Sequence, residues 1–192
     1  MAKPKTTDTW KLKSWYTVHA PEMFDNREIA QIVSGDESNV LNRRIQVSLS
    51  ELTNDITQAY TSLEFRVKEI KGKSAYTQLI GHELSSSYLQ TLIRRRRDII
   101  NVIVDVKTKD NNAVRVKAVV FTARKVSDKI KTLIRNEAKE EILAKAAEMD
   151  LTKLAQEIIF KKFPTRIFGR VKKLAPIKRV EIRKMEVKNT PA

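Results

Sequence analysis

The strongest constraint on the fold of this chain is an alternation that continues through a turn. Ile100, Val102, Val104 and Val106 alternate with Asn101, Ile103, Asp105 and Lys107, and Val114, Val116, Ala118 and Val120 resume the pattern after Asp110-Asn111-Asn112. A period of two puts one set of side chains on one face of a pleated strand. Asn and Asp tolerate the left-handed backbone that a tight turn requires. The stretch therefore predicts a β-hairpin. Ile103, Val119 and Phe121 make its second face apolar as well, which predicts a central position covered on both sides.

The same reading extends along the chain. Ile45, Val47 and Leu49 alternate with polar neighbours as a half-buried strand, and Leu63, Phe65 and Val67 lead through Lys71-Gly72 into a return run over 74–80, a second hairpin. Ser85 is placed to cap a helix in which Tyr88, Leu89, Leu92 and Ile93 recur at helical spacing, ending near Arg97. Ser127 opens a long helix with Ile130, Leu133, Ile134, Ala138, Ile142 and Ala146 as its stripe. Asp150 opens a shorter one that stops before Phe163-Pro164; a third carries Ile167, Phe168, Val171 and Leu174 and is ended by Pro176. A last strand covers 177–187. Residues 1–35 show no sustained period and combine lysines with both tryptophans. They predict an extended basic arm, 36–188 a single α+β core, and 189–192 a loose tail. The fold class expected is α+β, a curved antiparallel sheet or barrel-like core with flanking helices.

Charge sets the partner class. With 38 Lys and Arg against 23 Asp and Glu the formal net charge is +15, and such a field attracts polyanions, nucleic acid first, because each neutralised phosphate releases counterions. No apolar run approaches the roughly 20 residues of a membrane-spanning helix, and the long helix mixes acids with its lysines, so no membrane partner is expected. The absence of cysteine removes disulfides, thiolate catalysis and thiolate zinc sites.

Three motifs invite a chemical reading. Gly72-Lys73-Ser74 imitates the end of a phosphate-binding loop, but Val67 stands where its first glycine is needed and the context is strand-turn-strand. His82-Glu83 opens like a zinc-protease helix, yet Ser86 replaces the second histidine; His82 is expected to pack or steady a turn. No cofactor, metal site or catalytic set is predicted. The third motif is Arg94 to Arg97. On a helix continued to its end, with ~100° per residue, Arg94 and Arg95 oppose the apolar stripe, Arg97 flanks it, and Arg96 falls nearly upon it, so the helix must unwind or Arg96 must snorkel. Arg94, Arg95 and Arg97 are the predicted outer anchors for phosphate. Lys11, Lys13 and Trp15 in the arm, and Arg115, Lys117, Arg124 and Lys125 on strands and connections, complete the candidate RNA-binding set. Lys172, Lys173, Lys178 and Arg179 recur as basic residues on outer sides.

Gly81-His82-Glu83-Leu84-Ser85, Tyr88-Leu89, the four arginines, Val104-Asp105-Val106, Thr108-Lys109-Asp110, Val114-Arg115-Val116-Lys117 and Phe121-Thr122-Ala123-Arg124-Lys125 resemble, in order, landmarks of the archaeal and eukaryotic small-subunit ribosomal protein S-three-a family, also called eukaryotic-type S-one. Trp15-Tyr16, Ala20-Pro21, Val47-Ser48-Leu49 and the run from Arg179 to Lys184 extend the likeness over nearly the whole chain. Asn111 departs from the glycine common in the family's hairpin turn and still suits a turn. The resemblance implies a structural constituent of the small ribosomal subunit in the cytoplasm, bound to small-subunit ribosomal RNA at the platform near the mRNA exit. It further implies neighbouring platform proteins, and mRNA at that exit, as partners. The residues alone leave two alternatives open, a free-standing RNA-binding regulator and a metal-dependent RNA-processing enzyme.

Overall fold

Eight strands and five helices make up the residues that the computed structural model describes, residue 10 and residues 13–188. In chain order they are β1 (Ser14–His19), β2 (Glu28–Ser34), β3 (Arg44–Ser48), α1 (Leu49–Thr53), β4 (Thr61–Lys71), β5 (Ser74–Leu84), α2 (Ser86–Leu92), β6 (Ile99–Lys107), β7 (Ala113–Thr122), α3 (Asp128–Glu148), α4 (Leu151–Ile159), α5 (Lys162–Val171) and β8 (Ile177–Val187). The strands form one open sheet in the order β2-β1-β5-β8-β7-β6, with β4 on β5 and β3 outside β4. Every pairing is antiparallel except β1 with β5. This is the expected α+β class with an unclosed sheet.

Strand β5 joins the parts. One edge pairs with β4, while the other meets β1 over Ser74–Tyr76 and then β8 over Gly81–Glu83. At Gly81 the crowding is visible: an added Cβ would stand 3.2 Å from Glu64 Oε2 and 3.4 Å from the Met185 carbonyl oxygen. Glycine fits this approach because it carries no side chain.

The helices cover one face. Ile134, Ala138, Ile142 and Ala146 of α3, Leu154 and Ile158 of α4, and Phe163, Ile167 and Val171 of α5 pack with Val102, Val104, Val116, Ile182 and Met185. Pro164 lies in the first turn of α5, where a missing amide proton costs nothing. The β6–β7 turn is tied to the helical layer, since Asp110 Oδ2 accepts the otherwise orphaned Leu151 amide at 3.1 Å and the Met149 carbonyl accepts that of Lys109. Asn111 adopts φ 57°, the left-handed conformation its turn demands.

Several expectations are corrected. Residues 14–34 do not belong to an extended arm: they form an antiparallel strand pair inside the sheet, with Tyr16, Val18 and Ile32 in a smaller core with Val40, Val67 and Ala75. The period of two does not stand out because the strand has only six residues and places the large apolar Trp15 on its outward face. Residues 1–9, 11–12 and 189–192, which include Lys11 and the expected loose tail, lie outside the described residues. The hairpin of β6 and β7 forms as predicted, but only β7 is internal; β6 ends the sheet, and Ile103 on its second face stays 56% exposed while Val119 and Phe121 are buried. Leu133, assigned to the buried stripe of α3, is exposed.

His82 packs within β5 as a buried residue whose Nδ1 has no hydrogen-bond partner among the described residues. Burial disfavours its charged form and lowers its pKa from 6.5 to about 4. Between those values the unfolded chain binds the proton and the folded chain does not, so stability falls as pH drops from about 6.5 to about 4. The loss assigned to this residue is about 3 kcal/mol, at ~1.4 kcal/mol per pKa unit. We expect His82→Leu to flatten the pH dependence of urea unfolding between pH 6.5 and 5; an unflattened profile would assign it to other groups.

Candidate nucleic-acid interface

The basic residues gather where the chain reverses at one end of the sheet. Helix α2 stops at Leu92, and Ile93 is already extended at its C-cap. The arginines therefore lie in the connection to β6 and not on a helix, which corrects the angular arrangement predicted for them. The physical reason is tertiary: Ile99 must stand opposite Phe121 in the β6–β7 ladder, so the preceding residues have to form a turn. Arg96 absorbs that reversal at φ 62°, a left-handed conformation that costs a residue with a side chain about 1–2 kcal/mol. Arg94, Arg95 and Arg96 are exposed and Arg97 is half-buried. Arg96, excluded by the helical geometry, thereby joins the set.

Asp98 and Thr122 bind this turn to the next connection. The Thr122 amide donates to the Asp98 carbonyl at 3.0 Å, the Asp98 amide donates to Thr122 Oγ1 at 2.8 Å, and the Val126 amide donates to Asp98 Oδ2 at 2.8 Å. The Val126 bond, helped by Lys131 at 3.5 Å, holds the Asp98 carboxyl below the usual carboxylate range. Arg124 and Lys125 thus stand beside Arg94–Arg97. The Ala123 amide donates to the Pro176 carbonyl at 2.8 Å, and Thr122 pairs with Ile177 and Phe121 with Arg179, so the basic run from Lys172 to Arg179 reaches the same end. Among the described residues, no carboxylate pairs with Arg94–Arg97, Arg124, Lys172, Lys173 or Lys178, while the Lys125 charge acts on the Asp98 carboxylate.

The other predicted site residues lie elsewhere. Arg115 donates to both carboxylate oxygens of Asp105, at 2.7 and 2.8 Å, and Lys188 joins that carboxylate at 2.9 Å. Arg115 first, then Lys188, holds the Asp105 carboxyl well below its ordinary range. Lys117 meets Glu186 at 3.3 Å, and Glu186 also meets Lys184 at 3.0 Å. Arg115 and Lys117 are therefore members of a neutralised lattice across the middle of the sheet. Lys13 and the exposed Trp15 belong to β1 and its approach, with Lys13 Nζ 3.9 Å from the centroid of the Trp10 ring. Strand β1 meets the first residues of β5, whereas the arginine turn lies beyond the other end of that strand, after α2, at the end of the sheet where β6 begins and β7 ends. Lys172, Lys173, Lys178 and Arg179 were legible as basic but not as neighbours of the arginines. Only the register of β7 on β8 brings them there.

Helix α2 is tied to the sheet by a polar and aromatic cluster. Tyr60 and Tyr88 stack with centroids 3.9 Å apart at 11°. The Tyr88 hydroxyl donates to Glu181 Oε1 at 3.3 Å, Arg179 Nε meets the same oxygen at 2.7 Å, and Lys161 Nζ donates to the Tyr60 hydroxyl. Burial, and after it the Glu181 charge, pushes the Tyr88 hydroxyl pKa far above its ordinary value. The side chain therefore stays a donor across the working range. Among the described residues no group of three or more His, Asp or Glu is placed to hold a metal ion, and no helix is long and apolar enough to cross a membrane.

Comparison with known proteins adds an independent line. The model of the Ribosomal S3Ae family matches residues 1–191. Small ribosomal subunit protein eS1 of Archaeoglobus fulgidus is 40% identical over 190 residues, covering 98% of this chain and 90% of the relative. The proteins of that name from Saccharolobus solfataricus and Saccharolobus islandicus are 38% and 37% identical over 184 residues, each covering 96% of this chain and 88% of the relative.

The tyrosine stack makes α2, and the arginine turn that follows it, sensitive to Tyr88. Tyr88→Phe removes one hydrogen bond and is expected to cost about 1 kcal/mol in urea unfolding. Tyr88→Ala removes the stack as well and should cost about 2–3 kcal/mol, since aromatic packing is lost with it. Amide exchange over 93–98 should rise in the alanine variant only, and equal exchange in both would separate the stack from the turn.

Proposed function

The chain belongs to the Ribosomal S3Ae family, and from that membership we propose that it binds small-subunit ribosomal RNA through the basic end of its sheet, at the platform near the mRNA exit. It is a structural constituent of the ribosome and not an enzyme, as the family and the names of its relatives indicate. The proposal covers neighbouring platform proteins and mRNA at the exit as partners, and the cytoplasmic ribosome as its location.

The observation that carries the RNA reading is the convergence of three connections, α2–β6, β7–α3 and α5–β8, on one end, where among the described residues Arg94–Arg97, Arg124, Lys172 and Lys173 have no carboxylate partner. Guanidinium groups match phosphate oxygens in pairs, and fixed donors on a rigid sheet select the shape of a folded backbone more than its sequence. Elsewhere the acids are consumed: Asp105 and Glu186 on the sheet, Glu137 and Glu141 against Arg170 at 3.1 and 2.8 Å. The charge left over is concentrated where backbone turns present it. Among the candidate anchors, Arg94, Arg95, Arg96, Arg124 and Lys125 form the centre, with Arg97 behind them; Arg115 and Lys117 shape the sheet's own surface.

Two measurements test this. The protein is expected to cosediment with small subunits after a high-salt wash, and its absence from that fraction would overturn the ribosomal assignment. Replacing both Arg94 and Arg95 by Ala should weaken binding to a structured small-subunit RNA fragment and reduce the salt slope by about 1 for each phosphate no longer neutralised. An unchanged slope would remove these two arginines from the interface.

A further inference from the structure

Strand β1 presents a second surface of different chemistry. Tyr16 and Val18 point into the smaller core, so Trp15, Thr17 and His19 share the outer face, where Trp15 is 62% exposed. His19 stands opposite Tyr76 of β5, and the two rings stack with centroids 5.5 Å apart and planes at 26°. Four residues of strand separate Trp15 from His19 by about 13 Å, so Trp15 and the His19–Tyr76 pair are two separate aromatic stations on one face. Cations flank both. Lys71 Nζ lies 5.4 Å from the Tyr76 ring centroid, and the Lys73 carbonyl accepts the Thr17 amide at 2.8 Å, which fixes that residue beside β1. Lys71 also meets Glu69 at 3.5 Å, whereas Lys13 and Lys73 have no carboxylate partner among the described residues. Beside Tyr76 opens a cavity of about 570 Å³. Met23, Leu79 and Leu151 supply apolar wall to it, the amides of Asn26 and Gln78 supply both donors and acceptors, and at its rim Glu22 and Glu69 are matched by Lys68 and Lys71.

We propose that this face binds an unpaired stretch of RNA. Trp15 and Tyr76 stack bases, Lys13 and Lys73 take phosphates, and the cavity receives one base whose edge meets Asn26 and Gln78. The combination argues for that occupant. Separated aromatic stations suit bases that are free to splay, which a duplex keeps stacked inside. An apolar helix of a partner protein would use the rings and strand the lysines, while a duplex would use the lysines and leave the rings in water. An anionic chain with exposed bases satisfies both. That the polymer is RNA rests on the ribosomal reading; the separation of this face from the arginine turn does not.

The test uses the full chain and a fluorescently labelled ten-residue oligoadenylate, read by anisotropy at several salt concentrations. Trp15→Ala and Tyr76→Ala are each expected to weaken binding about 5- to 100-fold, the range for loss of one stacked base, with the salt slope unchanged. Tyr76→Phe keeps the ring and should bind as the parent does, which separates stacking from any disturbance of β5. Unaltered affinity in both alanine variants overturns the proposal, as does a Tyr76→Phe variant that binds as weakly as Tyr76→Ala. The paired Arg94→Ala and Arg95→Ala variant is expected to retain oligoadenylate binding while losing structured RNA. Loss of oligoadenylate in that variant alone would assign single strands to the arginine turn and overturn this second site while leaving the ribosomal reading in place.

Discussion

The structure depends on one strand having two edges and three partners. Strand β5 gives one edge to β4 and divides the other between β1 and β8. Backbone donors and acceptors near a core must be paired, and a strand of 11 residues has enough of them to serve two neighbours in succession. The division lets the N-terminal strand pair and the β6–β7–β8 ladder belong to one sheet while their outer ends stay far apart. It also accounts for Gly81, which sits where β8 arrives and where a methyl group would crowd Glu64 and the Met185 carbonyl at 3.2–3.4 Å.

From that geometry follows the placement of charge. The chain carries a net +15, yet its positive charge is not spread evenly. Mid-sheet cations alternate with acids: Arg115 and Lys188 share Asp105, Lys117 and Lys184 share Glu186, and Lys184 reaches Glu83 at 3.1 Å. Exposed pairs of this kind contribute little to stability. Their consequence here is electrostatic: four cations there face three carboxylates, so the centre of the sheet carries little net charge compared with the end where three connections meet. A polyanion approaching such a surface is drawn to that end first, and the pull weakens as salt shortens the screening length.

Local pattern made much of this architecture legible. The β6–β7 hairpin, the β4–β5 hairpin, the three large helices and the last strand all follow from period and punctuation, because each buries one face against a neighbour and needs its own apolar series. The failures share a different cause. β1 and β2 carry a period of two over too few residues to stand out, with the apolar Trp15 on the outward face, and β1 is a strand because β5 offers it an edge about 57 residues later (Thr17 to Ser74), while β2 takes the other edge of β1. The end of α2 is likewise set by a distant demand, the register of Ile99 on Phe121. For the site, residue type was readable and proximity was not. Arg94, Arg95, Arg97, Arg124 and Lys125 were recognisable as cations, but Asp98–Thr122 and Ala123–Pro176 are the bonds that assemble them.

The same bonds bear on why the anchors sit in turns and not on a helix. A helix carrying four consecutive arginines would fan them over most of its circumference at ~100° per residue, so no single RNA surface would meet them all. In the turn, clamped at Asp98, Arg94, Arg95 and Arg96 are all exposed, at the cost of a left-handed Arg96. Strain of about 1–2 kcal/mol is small beside the cost of ordering a flexible loop on binding, about 1–2 kcal/mol for each residue fixed. The strained turn is therefore the less expensive way to present several guanidinium groups together. It works because the clamp residues are held by strands that no ligand has to organise.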